Sequence, residues 1–72
     1  RNLPPEIKAK LEKIKLIQEK ADKEENLNKL GRVLERYKYI LKLYLSIPKE
    51  TIDLTDEVSN IKQKISQLEN KI

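Results

Sequence analysis

Aliphatic residues recur through the first third of the chain in steps of three and four, the spacing that places them on one face of an α-helix. They are Ile7, Leu11, Ile14, Ile17 and Ala21. Pro5 suits the start of this helix, because the N–H that proline lacks would be unpaired in the first turn. The pattern is lost between Asp22 and Asn26. It therefore predicts a first helix over residues 5–24, with Asn26 capping the helix that follows.

The middle of the chain keeps the alternating spacing of a heptad repeat, which predicts a second helix over residues 27–46. Its repeat positions are Leu27, Leu30, Leu34, Tyr37, Leu41 and Tyr44. Gly31 lies inside this run, and an alternative is that Gly31 ends a longer first helix while the second begins near Arg32. From Tyr37 to Ile47 the segment is apolar nearly all round. We therefore expect this helix at the centre of a bundle or of a multi-chain assembly.

Pro48 predicts a helix boundary near Ser46 and Ile47, because the residue before a proline disfavours the α conformation. The last third then has the cleanest heptad run in the chain, which predicts a third helix over residues 49–72. Its positions are Thr51, Leu54, Val58, Ile61, Ile65, Leu68 and Ile72. A helix that continues through Pro48 would instead join the second and third segments into one kinked arm.

The predicted fold is all-α and occupies residues 1–72 as a single module. It is either a heptad-patterned helical hairpin or a three-helix bundle, with coiled-coil-like packing. The packing, within the chain or between chains, is expected to depend on Leu27, Leu34, Tyr37, Leu41, Tyr44, Leu54, Val58, Ile61, Ile65 and Leu68. Tyr39 and Leu43 fall outside the narrow seam, and they form either a patch that faces a partner or an extra core contact in a three-helix packing.

The composition argues against catalysis. The chain has 72 residues and no His or Cys, which excludes a disulfide framework, a Cys/His zinc site and acid–base chemistry by histidine. We expect a non-enzymatic chain without a cofactor. No stretch approaches the roughly 18 apolar residues of a membrane span, so no membrane association is expected. A chain of this size seldom buries enough apolar surface to be stable alone, and we expect a fragment of a longer protein that associates with itself or with a helical partner subunit.

Charge is concentrated in the middle helix. Residues 26–48 carry five basic groups and one acidic group, whereas residues 1–25 have a net charge of +1 and residues 49–72 of −1. The five basic residues are Lys29, Arg32, Arg36, Lys38 and Lys42. They are possible contacts to nucleic-acid phosphates, and this gives an alternative function. The stronger interpretation is that they extend along the edges of the core and pair with Asp53, Asp56 and Glu57 of the third segment.

Two stretches carry a family resemblance. The first opens the proline-started helix and consists of Leu3, Pro4, Pro5 and Glu6. The second precedes the last heptad run and consists of Lys49, Glu50, Ile52 and Leu54. Together they resemble the N-terminal helical domain of the inhibitor-of-growth family. The resemblance implies an antiparallel helical hairpin that dimerises, or that docks other subunits of a histone acetyltransferase or deacetylase complex, and it implies a nuclear, chromatin-regulating scaffold.

The function predicted from these observations is a protein–protein interaction module for oligomerisation or subunit docking. We expect an intracellular location, in the nucleus if the family resemblance holds.

Overall fold

The structure is a computed structural model that describes residues 2–72, so Arg1 lies outside the described residues. The chain is an all-α three-helix bundle, with α1 over Pro5–Asn26, α2 over Leu30–Leu45 and α3 over Thr55–Lys71. Helix α2 packs against both of the others, whereas within the described residues no Cα atom of α1 lies within 8 Å of a Cα atom of α3. The predicted all-α fold is therefore confirmed in its three-helix form, with the middle helix at the centre.

Helix α1 begins where the proline predicts and ends later than expected. The carbonyl oxygen of Pro4 accepts hydrogen bonds from the N–H groups of Ile7 and Lys8, which satisfies donors of the first turn. At the other end the charged run continues the helix through Asn26, because its Lys and Glu residues are good helix formers. The helix predicted over residues 5–24 thus extends two residues farther, and Asn26 belongs to α1 and does not cap α2.

A three-residue turn joins α1 to α2. Asn28 adopts a left-handed conformation with φ 60°, which asparagine tolerates better than most residues with a side chain. The N–H of Asn28 donates to the carbonyl of Glu25 and that of Lys29 to the carbonyl of Glu24, both at 2.9 Å, the pattern of a Schellman motif. The chain reverses at once and leaves Leu27 65% exposed. Leu27 therefore lies outside the core of the single chain, and its packing between chains stays a prediction.

Helix α2 begins at Leu30 and ends at Leu45. Gly31 consequently lies in the first turn of α2, and the alternative that it ends α1 is wrong. Ser46 follows the helix, where its hydroxyl donates to the carbonyl of Leu43 at 2.7 Å and accepts a hydrogen bond from Lys10 of α1 at 2.8 Å.

Residues 46–54 connect α2 to α3 without forming a helix, so neither a third helix from residue 49 nor a kinked arm through Pro48 is present. Proline disfavours the α conformation in the residue before it, which stops α2. The new helix starts at Thr55 because the Asp53 carboxylate accepts hydrogen bonds from the Thr55 N–H at 3.0 Å and from its hydroxyl at 2.6 Å. These bonds lower the pKa of Asp53 below its usual range.

The core follows the length of α2. Val33 and Ile40 are completely buried. Around them lie buried residues from all three helices, namely Ile14, Ile17, Ala21, Tyr37, Tyr44, Ile61 and Leu68. The steps of three and four seen in the sequence place these side chains on the inner faces, and burial of apolar surface is the main source of their stabilisation.

Two tyrosines of α2 occupy the space between the outer helices. The Tyr37 hydroxyl lies 3.5 Å from the Glu25 carboxylate of α1, and the ammonium of Lys64 in α3 lies 5.5 Å from the centre of the Tyr37 ring. Tyr44 lines a groove with Gln18 of α1 and with residues of α3. Both rings are therefore buried beside side chains of α1 and of α3.

Candidate interaction site

The heptad positions of α2 and α3 fall into two sets that alternate in burial. One set is buried and consists of Tyr37, Tyr44, Ile61 and Leu68. The other set has the same seven-residue spacing but is only partly buried, and it consists of Leu34, Leu41, Val58 and Ile65. These side chains pack against the edge of the core and keep part of their surface exposed, so this set is less completely enclosed than the first.

Two strongly exposed residues, Leu45 and Ile72, extend the partly buried set. Leu45 is eleven residues, or three turns, after Leu34 and is 61% exposed; Ile72 is seven residues after Ile65 and is 68% exposed. We refer to the whole set as the open seam, defined by Leu34, Leu41, Leu45, Val58, Ile65 and Ile72.

Two contacts place both halves of the open seam on one surface. The ammonium of Lys38 lies 3.6 Å from the carboxylate of Glu69 and joins the α2 stripe to the α3 stripe. Farther along, Leu45 of α2 lines one cleft with Leu54, Val58 and Lys62. The open seam therefore lies along the α2–α3 packing, with a cleft at its Leu45–Val58 end and the Lys38–Glu69 ion pair beside it.

The other residues predicted to carry the packing can be compared with their observed burial. Leu54 is half-buried against the core, and the remaining predicted packing residues other than Leu27 are buried or half-buried. The predicted packing set does not include the exposed Leu45 and Ile72, although a helical wheel puts Leu45 beside Leu34 and Leu41. A helical wheel does not show where α1 packs, and the position of α1 decides which side of α2 is covered.

The predicted patch of Tyr39 and Leu43 does not form a single exposed surface. Leu43 is half-buried and packs against the core. Tyr39 is 40% exposed and lies at the α1–α2 groove, where the Lys13 ammonium is 5.2 Å from the centre of its ring. Leu43 therefore makes the extra core contact that the sequence left open as an alternative, whereas Tyr39 stays exposed beside α1 and its role in facing a partner stays a prediction.

The basic residues of α2 are engaged mainly by two glutamates. Both guanidinium nitrogens Nε and Nη2 of Arg36 donate to the Glu24 carboxylate, at 2.5 and 3.0 Å, and Arg32 lies 3.9 Å from the same group. Lys38 pairs with Glu69. The predicted pairing with Asp53, Asp56 and Glu57 is therefore wrong. Two of the five predicted phosphate contacts, namely Lys29 and Lys42, form no ion pair in the described part of the chain.

Ion pairing shifts the titration of Glu24. The hydrogen bonds from Arg36 lower the pKa of this carboxyl group, and the positive charges of Arg36, Arg32 and Lys29 lower it further. The same contact raises the pKa of Arg36. Glu24 therefore stays ionised in mildly acidic solution and holds α1 to α2.

Both interior tyrosines have raised pKa values. Burial raises the pKa of Tyr37, and the neighbouring carboxylates of Glu25 and Asp22 raise it further. Burial and the charge of Glu57 raise the pKa of Tyr44. The environment thus favours neutral phenols between the helices.

Other kinds of site find little support. Within residues 2–72, no three carboxylate, His or Cys side chains come together to hold a metal ion. None of the described helices combines the length and the apolar character needed to cross a bilayer. No known protein family, curated protein or solved structure matches the chain. The comparisons therefore do not bear on the inhibitor-of-growth resemblance, which stays a prediction.

Proposed function

We propose that the chain is a protein-interaction module that docks an amphipathic helix along the open seam. The observation that carries the proposal is the partly buried set of heptad positions on neighbouring helices, which ends in the exposed side chains of Leu45 and Ile72. Two adjacent stripes of spaced aliphatic side chains form a groove into which the ridge of a third helix fits. Burying an exposed leucine fully contributes about 1.5–3 kcal/mol, so a few seam residues would support measurable binding.

Nucleic-acid binding by α2 is the second prediction, and the ion pairs make it the weaker one. A phosphate group would have to displace Glu24 from Arg36 or Glu69 from Lys38. Lys29 and Lys42 alone would give weak binding that falls steeply as salt rises, since such binding releases counterions from the phosphates. Docking through aliphatic side chains should respond much less to salt.

A scaffold role in a histone-modifying complex is one setting in which such a module would work. It rests on the family resemblance alone and stays a prediction, as does a nuclear location.

A binding experiment tests the proposed function with a matched pair of variants. The probe is a fluorescein-labelled 21-residue synthetic helix with Leu and Ile at heptad positions and both Lys and Glu beside them. Its anisotropy is followed on titration with the chain. Leu45→Asp changes a seam residue that is 61% exposed, and Leu16→Asp changes a leucine of α1 that is 57% exposed but outside the seam.

We expect the probe to bind with micromolar affinity and Leu45→Asp to weaken binding at least tenfold. Leu16→Asp should leave the affinity within about twofold of the wild type, because Leu16 lies on another helix and face. Circular dichroism checks that both variants keep their helical content. Absence of binding by the wild type, or equal losses in the two variants, would contradict the proposal.

A further inference from the structure

We infer that the partner of the open seam is a second copy of this chain, bound so that the two α3 helices run antiparallel about a two-fold axis beside Ile65. The inference rests on the proposed function, since it names the partner of the same surface. A two-fold interface brings one patch against itself, so the patch must be complementary to its own reversed image. The open seam meets this condition in both its apolar and its charged residues.

The apolar residues of α3 are symmetric about Ile65. Val58 lies seven residues before Ile65 and Ile72 lies seven residues after it. In an antiparallel pair of helices centred on Ile65, Val58 is therefore level with Ile72 of the second copy, and Ile65 is level with its own counterpart. The three seam residues of α3 thus meet apolar residues at every level.

Two residues of opposite charge lie at nearly equal distances on either side of Ile65. Lys62 lies three residues before Ile65 and Glu69 four residues after it, so both are on the seam side of α3. In the antiparallel arrangement Lys62 is level with Glu69 of the second copy to within one residue. Each dimer therefore contains this pair twice. A parallel arrangement in register would instead set Lys62 beside Lys62 and Glu69 beside Glu69.

The most exposed seam residues also meet in this arrangement. Leu45 shares a cleft with Val58. Because Val58 is level with Ile72 of the second copy, that isoleucine comes to the cleft beside Leu45. The side chains that are 61% and 68% exposed in the single chain would thus cover each other.

The dimensions of the helices give an estimate of the area that the dimer would bury. Helix α3 has 17 residues, which gives a length of about 25 Å, and two packed helices present a width of about 20 Å. The patch is therefore about 500 Å² per copy, or about 1,000 Å² in total, at the lower limit for specific interfaces. An interface of this size is typical of a transient dimer rather than a permanent one.

A charge-exchange experiment tests the inference. Sedimentation equilibrium is measured for the chain, for Lys62→Glu, for Glu69→Lys and for the double variant. Each single change places two like-charge pairs in the antiparallel dimer, and we expect it to raise the dissociation constant about tenfold. The double variant restores two opposite-charge pairs and should return to within about threefold of the wild type. Lys71→Glu, on the opposite side of α3 from Lys62, is the matched control and should have little effect.

The double variant also separates the intermolecular pair from the internal one. It still lacks the Lys38–Glu69 ion pair, so recovery of the dimer cannot come from that contact. A dimer that the double variant does not recover would overturn the antiparallel register. A chain that stays monomeric at millimolar concentration would overturn the second copy as partner. In either case, binding of the synthetic helix with its Leu45 dependence would show that the proposed docking function still stands.

Discussion

The α1–α2 side of the molecule and the α2–α3 side are built from similar aliphatic repeats but are closed to different degrees. The first side has a three-residue turn, a hydrogen bond from Lys10 to Ser46 at one end and the Arg36–Glu24 pair at the other. The second has a nine-residue connection and one ion pair whose two side chains are about half exposed, Lys38–Glu69. The first side is therefore closed by polar contacts at both ends, whereas the second has such a contact at one place and leaves Leu45 and Ile72 exposed.

The difference teaches that a heptad repeat alone does not tell which chain will cover it. The repeat positions of α2 and α3 are equally apolar, yet those facing the interior are buried and those facing the outer groove are not. Burial depends on where the third helix packs. In this molecule α1 packs beside Arg36 and Tyr39, on the side of α2 away from the open seam.

The largest expected effect comes from placing a charge in the buried half of the repeat. Ile61 is 2% exposed, so Ile61→Asp buries an unpaired carboxylate. We expect it to lower the free energy of unfolding by about 3 kcal/mol or more, which is most of the stability of a chain this small. Urea denaturation followed by circular dichroism measures the change.

Ile65→Asp, four residues later in the open seam, is the comparison for this variant. Ile65 is only partly buried, so the new carboxylate can reach water. We expect this variant to lower the free energy of unfolding by less than half as much as Ile61→Asp, while weakening self-association. Equal losses of stability in the two variants would show that the open seam is as enclosed as the core.

A second test uses alkaline pH to ionise Tyr37 and Tyr44, whose rings contact both outer helices. The folded chain raises the pKa of Tyr37 and Tyr44 above 10.0. The neutral phenols therefore stabilise the fold fully below the pKa of the unfolded chain, and this stabilisation is lost as pH rises through the raised values. We expect helicity to fall above about pH 10 in step with tyrosinate absorbance near 295 nm.

The Tyr37→Phe and Tyr44→Phe double variant keeps the rings but removes the titrating hydroxyls. Its helicity should therefore decline less over the same alkaline range. An identical decline in the wild type and the double variant would assign the alkaline transition to lysine or Tyr39 titration instead.

A smaller effect concerns the α1–α2 side alone. Since Arg36 lowers the pKa of Glu24 below 4.5, the contact stabilises the fold above the pKa of the unfolded carboxyl and loses this contribution as pH falls through the lower folded value. Glu24→Gln should therefore lower the midpoint of thermal unfolding at pH 7, and the difference from the wild type should shrink at about pH 3. Glu35→Gln, an exposed acid of α2, is the control.

The smallest expected effect is a gain of stability at the start of α2. Gly31 is exposed in the first turn, and a methyl group added there would meet no atom within 4 Å. Gly31→Ala should raise the free energy of unfolding by about 0.5 kcal/mol, less than the 1 kcal/mol of a helix interior. A thermal unfolding midpoint that falls in this variant would mean that the α1–α2 groove needs the space at Gly31.

The sequence predicts the helices well and their ends poorly. The periodicity from Ile7 to Ala21 and from Val58 to Leu68 identifies α1 and α3, because burial acts on every turn. The end of α1 depends instead on the left-handed Asn28, and the start of α3 depends on the Asp53 side chain. Such local hydrogen bonds leave no periodic signal. The partners of Arg36 and Lys38 depend on how the helices pack against each other, so charge counting alone chose the wrong carboxylates.

The three-residue turn at Asn28 also bears on the order in which the chain folds. Closing a short loop costs little conformational entropy, and contacts between neighbouring helices form early. We therefore expect the α1–α2 hairpin to dominate the transition state and α3 to dock late. Substitutions near Asn28 should then mainly change the folding rate, and substitutions in α3 mainly the unfolding rate. Helix α3, which carries half of the open seam, would then be the last helix to pack.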